Sequence, residues 1–202
     1  MKFLSFDIEC CDGNHICEFG YVCFDNDFNL LKKECIPINP ARPFRLSRYG
    51  EAPEVSLFYS EKEYKSSPEF PAVAEKIRNI IADADMIVGF SMRNDYLFLK
   101  KACERYGLSS IEFTYNDIQR LYRVHTNGKN ELSLQHFLEE VGVDMSDLYM
   151  HRSDDDSYGV MLALKKMCEN SGKEILSLID EMKTEQKLFN AEKRKRKKKR
   201  GS

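Results

Sequence analysis

The feature that most restricts the fold is the alternating pattern of residues 2–8, KFLSFDI, which predicts a β-strand. Asp7 and Glu9 are two positions apart, so both carboxylates leave the same face of that strand, about 6.6 Å apart along it. Phe6 and Ile8 point to the opposite face, toward the core. Two carboxylates on a strand in the middle of a sheet are costly unless a cation compensates them. The alternative is a half-exposed edge strand whose acidic face lies in water.

The rest of the chain predicts two more strands and then helices alternating with strands. Strands at 16–25 and 30–38 continue the first as a meander, and the proline-bearing residues 39–71 predict a long, partly irregular connection. Beyond it, the pattern predicts a helix at 70–84, a strand at 85–90, a helix from about Asn94 closed by Gly107, a strand running into a helix at 111–123, and helices at 131–143 and 157–170. This order is typical of an α/β domain with a mixed sheet.

Composition argues against a membrane-spanning or secreted protein. No apolar run approaches the roughly 20 residues that cross a bilayer. The N-terminus, MKFLSFDIEC, turns acidic by its seventh residue and lacks the hydrophobic segment of a signal peptide. The seven cysteines are an odd number without metal-ligand spacing, which indicates reduced thiols in an intracellular protein. We therefore expect a cytoplasmic protein, or a nuclear one if the source is eukaryotic.

The charge is unevenly distributed along the chain. The formal net charge is −2, but KRKRKKKR at 193–200 holds eight of the 31 basic residues, which leaves 23 basic against 33 acidic residues elsewhere. An acidic body with a basic tail predicts a polyanionic partner, such as a phosphate backbone, held by the tail. The alternative is a solvated charge run. We expect a domain at 1–172, a helical extension at 173–192 and a disordered basic tail at 193–202.

A second acidic position, Asp95, follows the apolar strand at 85–90 and a short turn, SMRN. An aspartate at the start of a helix can cap it or favour its dipole. The carboxyl end of a buried strand is also where open α/β sheets bind their ligands. Position alone favours the capping role.

The third acidic stretch, HRSDDDSYG from His151 onward, has three adjacent aspartates that repel one another. Ser153, Asp154 and Asp155 are each competent N-caps for the following helix, and Ser153 with Asp156 has capping-box spacing. Capping therefore accounts for an acidic cluster. It accounts neither for His151, which precedes the cap in a loop, nor for an aspartate as far along as Asp156.

These residue types suit one chemistry if the fold brings them together. Carboxylate oxygens are the ligands that Mg²⁺ and Mn²⁺ prefer. Two such ions about 3.5–4 Å apart can bind the attacking and leaving oxygens of a phosphoryl displacement. Histidine is the natural base for deprotonating the attacking water. The residue types thus point to metal-assisted phosphodiester hydrolysis, while spacing alone does not establish that they converge.

Three motifs resemble those of a known enzyme family: FDIE at 6–9, GFSMRNDYLFL at 89–99 and HRSDDDS at 151–157. In order and spacing they are similar to the motifs of the DnaQ-like, or DEDD, 3′–5′ exonucleases. The histidine five residues before the last aspartate is similar to the DEDDh branch, which includes RNase T, oligoribonuclease and polymerase proofreading subunits. The resemblance covers about residues 1–170. It implies a ribonuclease H-like fold, in which a mixed sheet with its first three strands antiparallel is flanked by helices.

The resemblance also implies roles for single residues. Asp7, Glu9, Asp95 and Asp156 match the ligands of two Mg²⁺ or Mn²⁺ ions. His151 matches the general base. The implied activity is 3′–5′ hydrolysis of single-stranded nucleic acid with release of nucleoside 5′-monophosphates.

Some positions depart from the family pattern. Phe90 and Ser91 stand where the second motif commonly has His-Asn, and Cys10 stands where the first motif usually has a small polar residue. The candidate substrate contacts are Ile8, Cys10, Ser91 and His15. Three arginines of the connection are candidate phosphate contacts, or are simply solvated: Arg42, Arg45 and Arg48.

Two other functions stay open. One is a nucleic-acid-binding or adaptor module that keeps the fold without turnover, although the complete set of four carboxylates and a histidine argues against it. The other is an RNA-processing enzyme whose tail is a nuclear or ribosomal address. The sequence does not distinguish DNA from RNA, because that choice depends on contacts to the sugar 2′ position. It also does not distinguish a monomer from a homodimer.

Overall fold

The computed structural model describes residues 1–44, 57–128 and 130–200, of which 195–200 are described by their backbone alone. The strands in these ranges are β1 (Phe3–Cys10), β2 (Ile16–Phe24), β3 (Leu30–Pro37), β4 (Met86–Gly89) and β5 (Asn116–Asp117). They form one sheet in the order β3-β2-β1-β4-β5. The pairs β1–β2 and β2–β3 are antiparallel, whereas β1–β4 and β4–β5 are parallel. The predicted mixed sheet with three antiparallel first strands is confirmed.

Helices cover both faces of this sheet. In the described residues they are α1 (Glu61–Ser66), α2 (Phe70–Ala82), α3 (Met92–Arg105), α4 (Ile118–His125), α5 (Leu134–Val141), α6 (Ser153–Ser171) and α7 (Ile175–Arg200). In α2, Val73, Ile77 and Ile81 are buried at helical spacing, as the sequence predicts. Gly107 has a φ of +64° just past the end of α3, which is the left-handed conformation that ends many helices.

Strand β1 lies in the middle of the sheet, between β2 and β4. The interpretation of this strand as a half-exposed edge is therefore wrong. Phe6 and Ile8 are buried in a layer shared with α2 and α3. Phe3 is buried on the other face, with residues of α4 to α7. Because side chains alternate along a strand, Asp7 and Glu9 share the face of Phe3.

Helix α1 lies in the connection for which the sequence predicts partly irregular structure. Ser60 and Glu63 form a capping box, in which the backbone N–H of Glu63 donates to Ser60 Oγ (3.3 Å) and that of Ser60 donates to Glu63 Oε2 (2.8 Å). This pattern is visible in the sequence and accounts for the start of the helix. Arg42 is exposed, whereas Arg45 and Arg48 lie outside the described residues.

In the segment 111–123, for which the sequence predicts a strand running into a helix, strand β5 is short. Of the residues described here, Asn116 and Asp117 pair with β4, which itself has four residues. The side chain of Asn116 donates to the carbonyl oxygen of Ile87 (3.1 Å). Ile111 is buried in the layer of α2 and α3. The segment before β5 thus contributes to the core without joining the ladder.

Helix α7 belongs to the core at its start and continues to Arg200. Its buried residues are Ile175, Leu178, Ile179 and Met182. His125 Nδ1 lies 2.9 Å from Glu185 Oε2 and links α4 to α7. The segment expected to be a disordered tail is helical through residue 200, because lysine and arginine are good helix formers. None of the described helices, α7 included, combines the length and apolar character needed to cross a bilayer.

Helix α6 crosses β1 and β2, and its first turn lies directly on Gly20 of β2. A β-carbon at position 20 would lie 2.1 Å from the backbone nitrogen of Asp154 and 2.2 Å from the carbonyl carbon of Ser153. Ser157 Oγ donates to the carbonyl oxygen of Gly20 (3.2 Å). The absence of a side chain at position 20 therefore sets how closely the helix approaches the sheet.

We expect Gly20→Ala to lower the free energy of unfolding by about 3 kcal/mol, because the added methyl group forces α6 away from the sheet. Gly128→Ala is the matched control, since a β-carbon there meets no atom closer than 3.4 Å. We expect that control to stay within about 0.5 kcal/mol of wild type. Urea unfolding followed by circular dichroism compares the two variants, and equal effects would contradict the packing argument.

Candidate active site

The end of β1 carries two of the predicted site residues. Asp7 and Glu9 project from the face that α6 covers, while Ile8 is buried on the opposite face. Glu9 stands directly across from Glu18 of β2, and the register shifts just after it, at Cys10. Because β1 is central, both carboxylates lie over the sheet rather than along its edge.

Asp95 lies in the first turn of α3, directly after the carboxyl end of β4, and is 4% exposed. Its carboxylate lies beside the backbone N–H of Ile8. It therefore reaches across to β1, beyond the end of the short β4 ladder. The interpretation of Asp95 as a helix cap is incomplete, because the N-cap of α3 is Ser91 and Asp95 faces the neighbouring strand.

His151 and Asp156 meet at the start of α6. The backbone N–H of His151 donates to the two carboxylate oxygens of Asp156, at 3.4 and 3.2 Å. His151 has a φ of +65°, and its ring Nδ1 lies 3.7 Å from Glu9 Oε1. One ligand atom from each of Glu9, His151 and Asp156 lies within 4.8 Å of the other two. The first and third sequence motifs are thus brought together.

Burial and mutual repulsion raise the pKa values of this cluster. Burial raises the pKa of Asp7 well above its usual range, and Asp95 and Glu9 raise it further. Burial, followed by the charge of Glu9, also raises the pKa of Asp95. The same two causes raise the pKa of Asp156 to about 7. The Glu9 carboxylate raises the pKa of the His151 ring. These shifts place Asp7 and Asp95 in one electrostatic cluster with the other three residues.

The three adjacent aspartates of α6 have different partners. Asp154 Oδ1 lies 2.8 Å from Arg152 Nε, and its other oxygen lies 3.9 Å from Lys33 Nζ. Asp155 pairs with Lys33 and accepts a hydrogen bond from the backbone N–H of Tyr149 (3.2 Å). The third aspartate faces the cluster described above. Two cations therefore compensate the first two carboxylates, which relieves the repulsion that the sequence implies.

The first turn of α6 is not capped in the predicted way. Its N-cap is Arg152, which makes no side-chain capping hydrogen bond. Ser153 lies inside the helix, and its Oγ donates to Glu18 Oε2 at 3.2 Å. The predicted Ser153–Asp156 capping box is wrong, because Ser153 is the first residue of the helix and not its N-cap.

Glu18 is a buried acid that the sequence analysis does not single out. It lies on β2 with no exposed surface, and burial raises its pKa. Its Oε1 accepts a hydrogen bond from the Tyr64 hydroxyl (2.9 Å). Its Oε2 accepts from the Cys35 thiol (2.9 Å) and from Ser153. Glu18 thus connects α1, β3 and α6 around the site. The sequence signal that could have identified Glu18 is a glutamate within the otherwise apolar strand ICEFGYVCF.

Two candidate substrate contacts on β1 pack against the layer of α2 and α3. Ile8 is buried against the layer of α2 and α3, and its N–H lies beside Asp95. Cys10 packs against the same layer, and burial raises the pKa of its thiol. Both side chains alternate along β1 with Asp7 and Glu9. Substrate contacts by Ile8 and Cys10 stay predictions.

The other two candidates bind neighbours in their own turns. His15 Nδ1 lies 2.8 Å from Asp12 Oδ2 in the turn between β1 and β2. Ser91 Oγ accepts a hydrogen bond from the Asn94 side chain (3.1 Å). Phe90, before Ser91, packs on an aromatic ring of α5 with ring centroids 5.3 Å apart. Substrate contacts by His15 and Ser91 stay predictions.

No protein-family model and no curated protein matches this chain. Solved structures do match. The nuclease domain of 3′hExo, described as a DEDDh family member bound to rAMP, has a TM-score of 0.64 and 15% identity over 85% of this chain and 92% of that domain. Cell-death related nuclease 4 has a TM-score of 0.64 and 14% identity over 85% of this chain and 64% of its own.

Exonuclease I of E. coli, in complex with a dA16 oligonucleotide, has a TM-score of 0.65 and 16% identity over 91% of this chain. This chain spans 43% of the length of that enzyme. At these identities the similarity establishes the fold. The chain therefore has the α/β fold of the DEDDh exonucleases.

We expect the metal-free protein to become less stable as pH rises from about 5 to 8. The pKa of Asp156 is about 7 in the folded state against 3.8 ordinarily, so the folded protein keeps a proton that the unfolded chain has lost. Between those values the free energy of unfolding falls with pH, by about 1–4 kcal/mol in total. The raised pKa values of Asp7, Asp95 and His151 act in the same direction.

Urea unfolding in EDTA at pH 5, 6, 7 and 8 measures this slope. Asp156→Asn removes one of the titrating groups, so its slope must be smaller than that of wild type. A stability that is constant or rises across this range would show that burial and mutual repulsion do not raise the pKa values of these carboxylates in the folded state.

Proposed function

We propose that this chain is a metal-dependent 3′–5′ exonuclease that hydrolyses single-stranded nucleic acid and releases nucleoside 5′-monophosphates. The observation that carries the proposal is the approach of Glu9, His151 and Asp156 to within 4.8 Å of one another. Asp7 and Asp95 belong to the same electrostatic cluster. The shared fold supports it, since the solved relatives include a nuclease domain bound to rAMP and an exonuclease bound to an oligonucleotide.

The chemistry of the cluster fits divalent cations. Among the described residues, the cations at the start of α6 pair with Asp154 and Asp155 and leave the cluster itself with excess negative charge. Hard cations such as Mg²⁺ and Mn²⁺ prefer carboxylate oxygens. We infer that two ions are held by Asp7, Glu9, Asp95 and Asp156. When bound, such ions polarise the scissile phosphate and stabilise the charge that develops on it.

We propose that His151 acts as the general base. Its ring is about half exposed and stands beside Glu9, so a water molecule bound at the cluster can reach it. Its backbone is held by the hydrogen bonds to Asp156, which fix the position of the ring relative to the carboxylates. His151 takes the proton of the attacking water and passes it to solvent.

We expect Asp7→Asn to reduce hydrolysis by at least about a hundredfold, because it removes a carboxylate from the centre of the cluster. Asp27→Asn is the matched control, since Asp27 is an exposed aspartate in the turn after β2. 5′-labelled DNA and RNA oligonucleotides, each with Mg²⁺, Mn²⁺ or EDTA, show shortening from the 3′ end and the choice of sugar together.

Near-wild-type turnover by Asp7→Asn would refute the assignment of this carboxylate. An intact oligonucleotide with wild-type protein and Mn²⁺, despite measurable binding, would favour a nucleic-acid-binding module without turnover. Circular dichroism of Asp7→Asn separates loss of chemistry from loss of the fold.

The basic tail is proposed to bind the phosphate backbone of the same strand. Residues of α7 beyond Met182 become largely exposed, so the helix extends away from the core toward KRKRKKKR. Lysine and arginine that neutralise phosphates release counterions, which makes binding independent of sequence and dependent on salt. The acidic body has no comparable run of basic residues in its sequence.

We expect deletion of residues 193–202 to weaken single-strand binding and to reduce its salt dependence. The slope of log K against log salt should become shallower by about 0.7 for each phosphate that the tail neutralises in the wild-type complex. A variant with glutamine at the eight basic positions keeps the length of the tail and should behave as the deletion does. An unchanged slope in both variants would instead favour the tail as an intracellular address.

A further inference from the structure

Two large aromatic side chains are exposed beside the candidate active site. Phe58 is 43% exposed and Tyr149 is 64% exposed. Their ring centroids are 5.7 Å apart at an interplanar angle of 63°. The guanidinium of Arg152 lies over the Phe58 ring, 4.3 Å from its centroid. We call these three side chains the aromatic platform.

The platform is held from beneath by buried groups. Phe58 packs against Tyr59 (5.0 Å, edge to face), and Tyr59 packs in the same way against Tyr64 (5.5 Å). Tyr64 in turn donates its hydroxyl to the buried Glu18. The backbone N–H of Tyr149 is bound by a carboxylate of α6. The ring positions are therefore organised before any ligand binds.

The platform adjoins the reacting groups. Tyr149 is two residues before His151, and Arg152 is the residue after it. Two residues of extended chain span at most about 7 Å, so the backbone of Tyr149 lies within that distance of His151. A nucleotide whose phosphate reaches the carboxylates therefore has its own base, or that of its neighbour, within reach of the platform.

Simple core packing does not account for these side chains. A packing role would bury both rings, yet roughly half of each side chain faces solvent. Unpaired bases are flat and stack on aromatic rings, and a guanidinium adds a cation–π contact and a charge that complements phosphate. A duplex offers no free base faces at this point, because its bases already stack on one another.

We propose that a base near the 3′ end of a single-stranded substrate stacks on the platform formed by Phe58, Tyr149 and Arg152. The inference rests on the proposed exonuclease function and assigns part of its substrate site. Because every base has a π-face, the platform selects unpaired strands without selecting sequence.

The test uses the full-length protein and oligonucleotides in which one of the last four nucleotides lacks its base. Binding is measured in EDTA, so that the strand is not consumed. For wild type we expect one abasic position to weaken binding about tenfold. The double variant Phe58→Leu/Tyr149→Leu should bind the intact strand about tenfold more weakly. In this variant, removing the base at the position that matters for wild type should weaken binding no further.

Three variants complete the design. Tyr149→Leu alone should lose part of the abasic sensitivity, and Tyr149→Phe should keep it because the ring remains. Phe189→Leu, at an exposed aromatic of α7, is the matched control and should keep the full sensitivity. Thermal unfolding checks that each variant folds.

The outcomes separate this inference from the proposed function. If the wild-type protein hydrolyses the strand, but removing a base weakens binding equally in wild type and in the platform variants at every position, the platform alone is overturned. If the platform variants lose the abasic sensitivity, but the wild-type protein does not hydrolyse the strand in Mg²⁺ or Mn²⁺, the proposed exonuclease function is overturned and the platform remains as a binding surface. Wild-type protein that binds no single strand would overturn both.

Discussion

The contact between helix α6 and Gly20 of β2 is the constraint on which the site depends. Without a side chain at position 20, the first turn of the helix reaches the sheet and Ser153 reaches the buried Glu18. That contact carries the loop before α6 over the end of β1. His151 and Asp156 then meet Glu9, a residue more than a hundred positions earlier in the chain.

The charges around this contact are of two kinds. Asp154 and Asp155 have cationic partners, Lys33 and Arg152, within the protein. The carboxylates over β1 repel one another, and burial in that position raises their pKa values. An arrangement that costs stability in the apoprotein and matches the ligand preferences of hard cations is typical of a functional site. The same few residues therefore serve both packing and the proposed chemistry.

Local patterns predicted much of the fold. Alternation around Asp7, helical spacing in α2 and the glycine after α3 identified their elements because each depends on neighbours in sequence. The shortened β5 was not predictable, because pairing depends on the length of β4 and on the side chain of Asn116. The capping box predicted for Ser153 is wrong for a similar reason: the surroundings of Ser153 are set by Glu18, to which its hydroxyl donates and which lies on a distant strand.

The sequence by itself determined the mixed α/β architecture, the face on which Asp7 and Glu9 lie, and the set of residue types for metal-assisted chemistry. Side-chain periodicity and residue chemistry are local properties, so one chain suffices to read them. Only the tertiary structure decided that β1 is central, that Lys33 pairs with Asp154 and Asp155, and that Phe58 lies beside Tyr149. These are contacts between distant segments, and they depend on how closely helices approach the sheet, which no local pattern records.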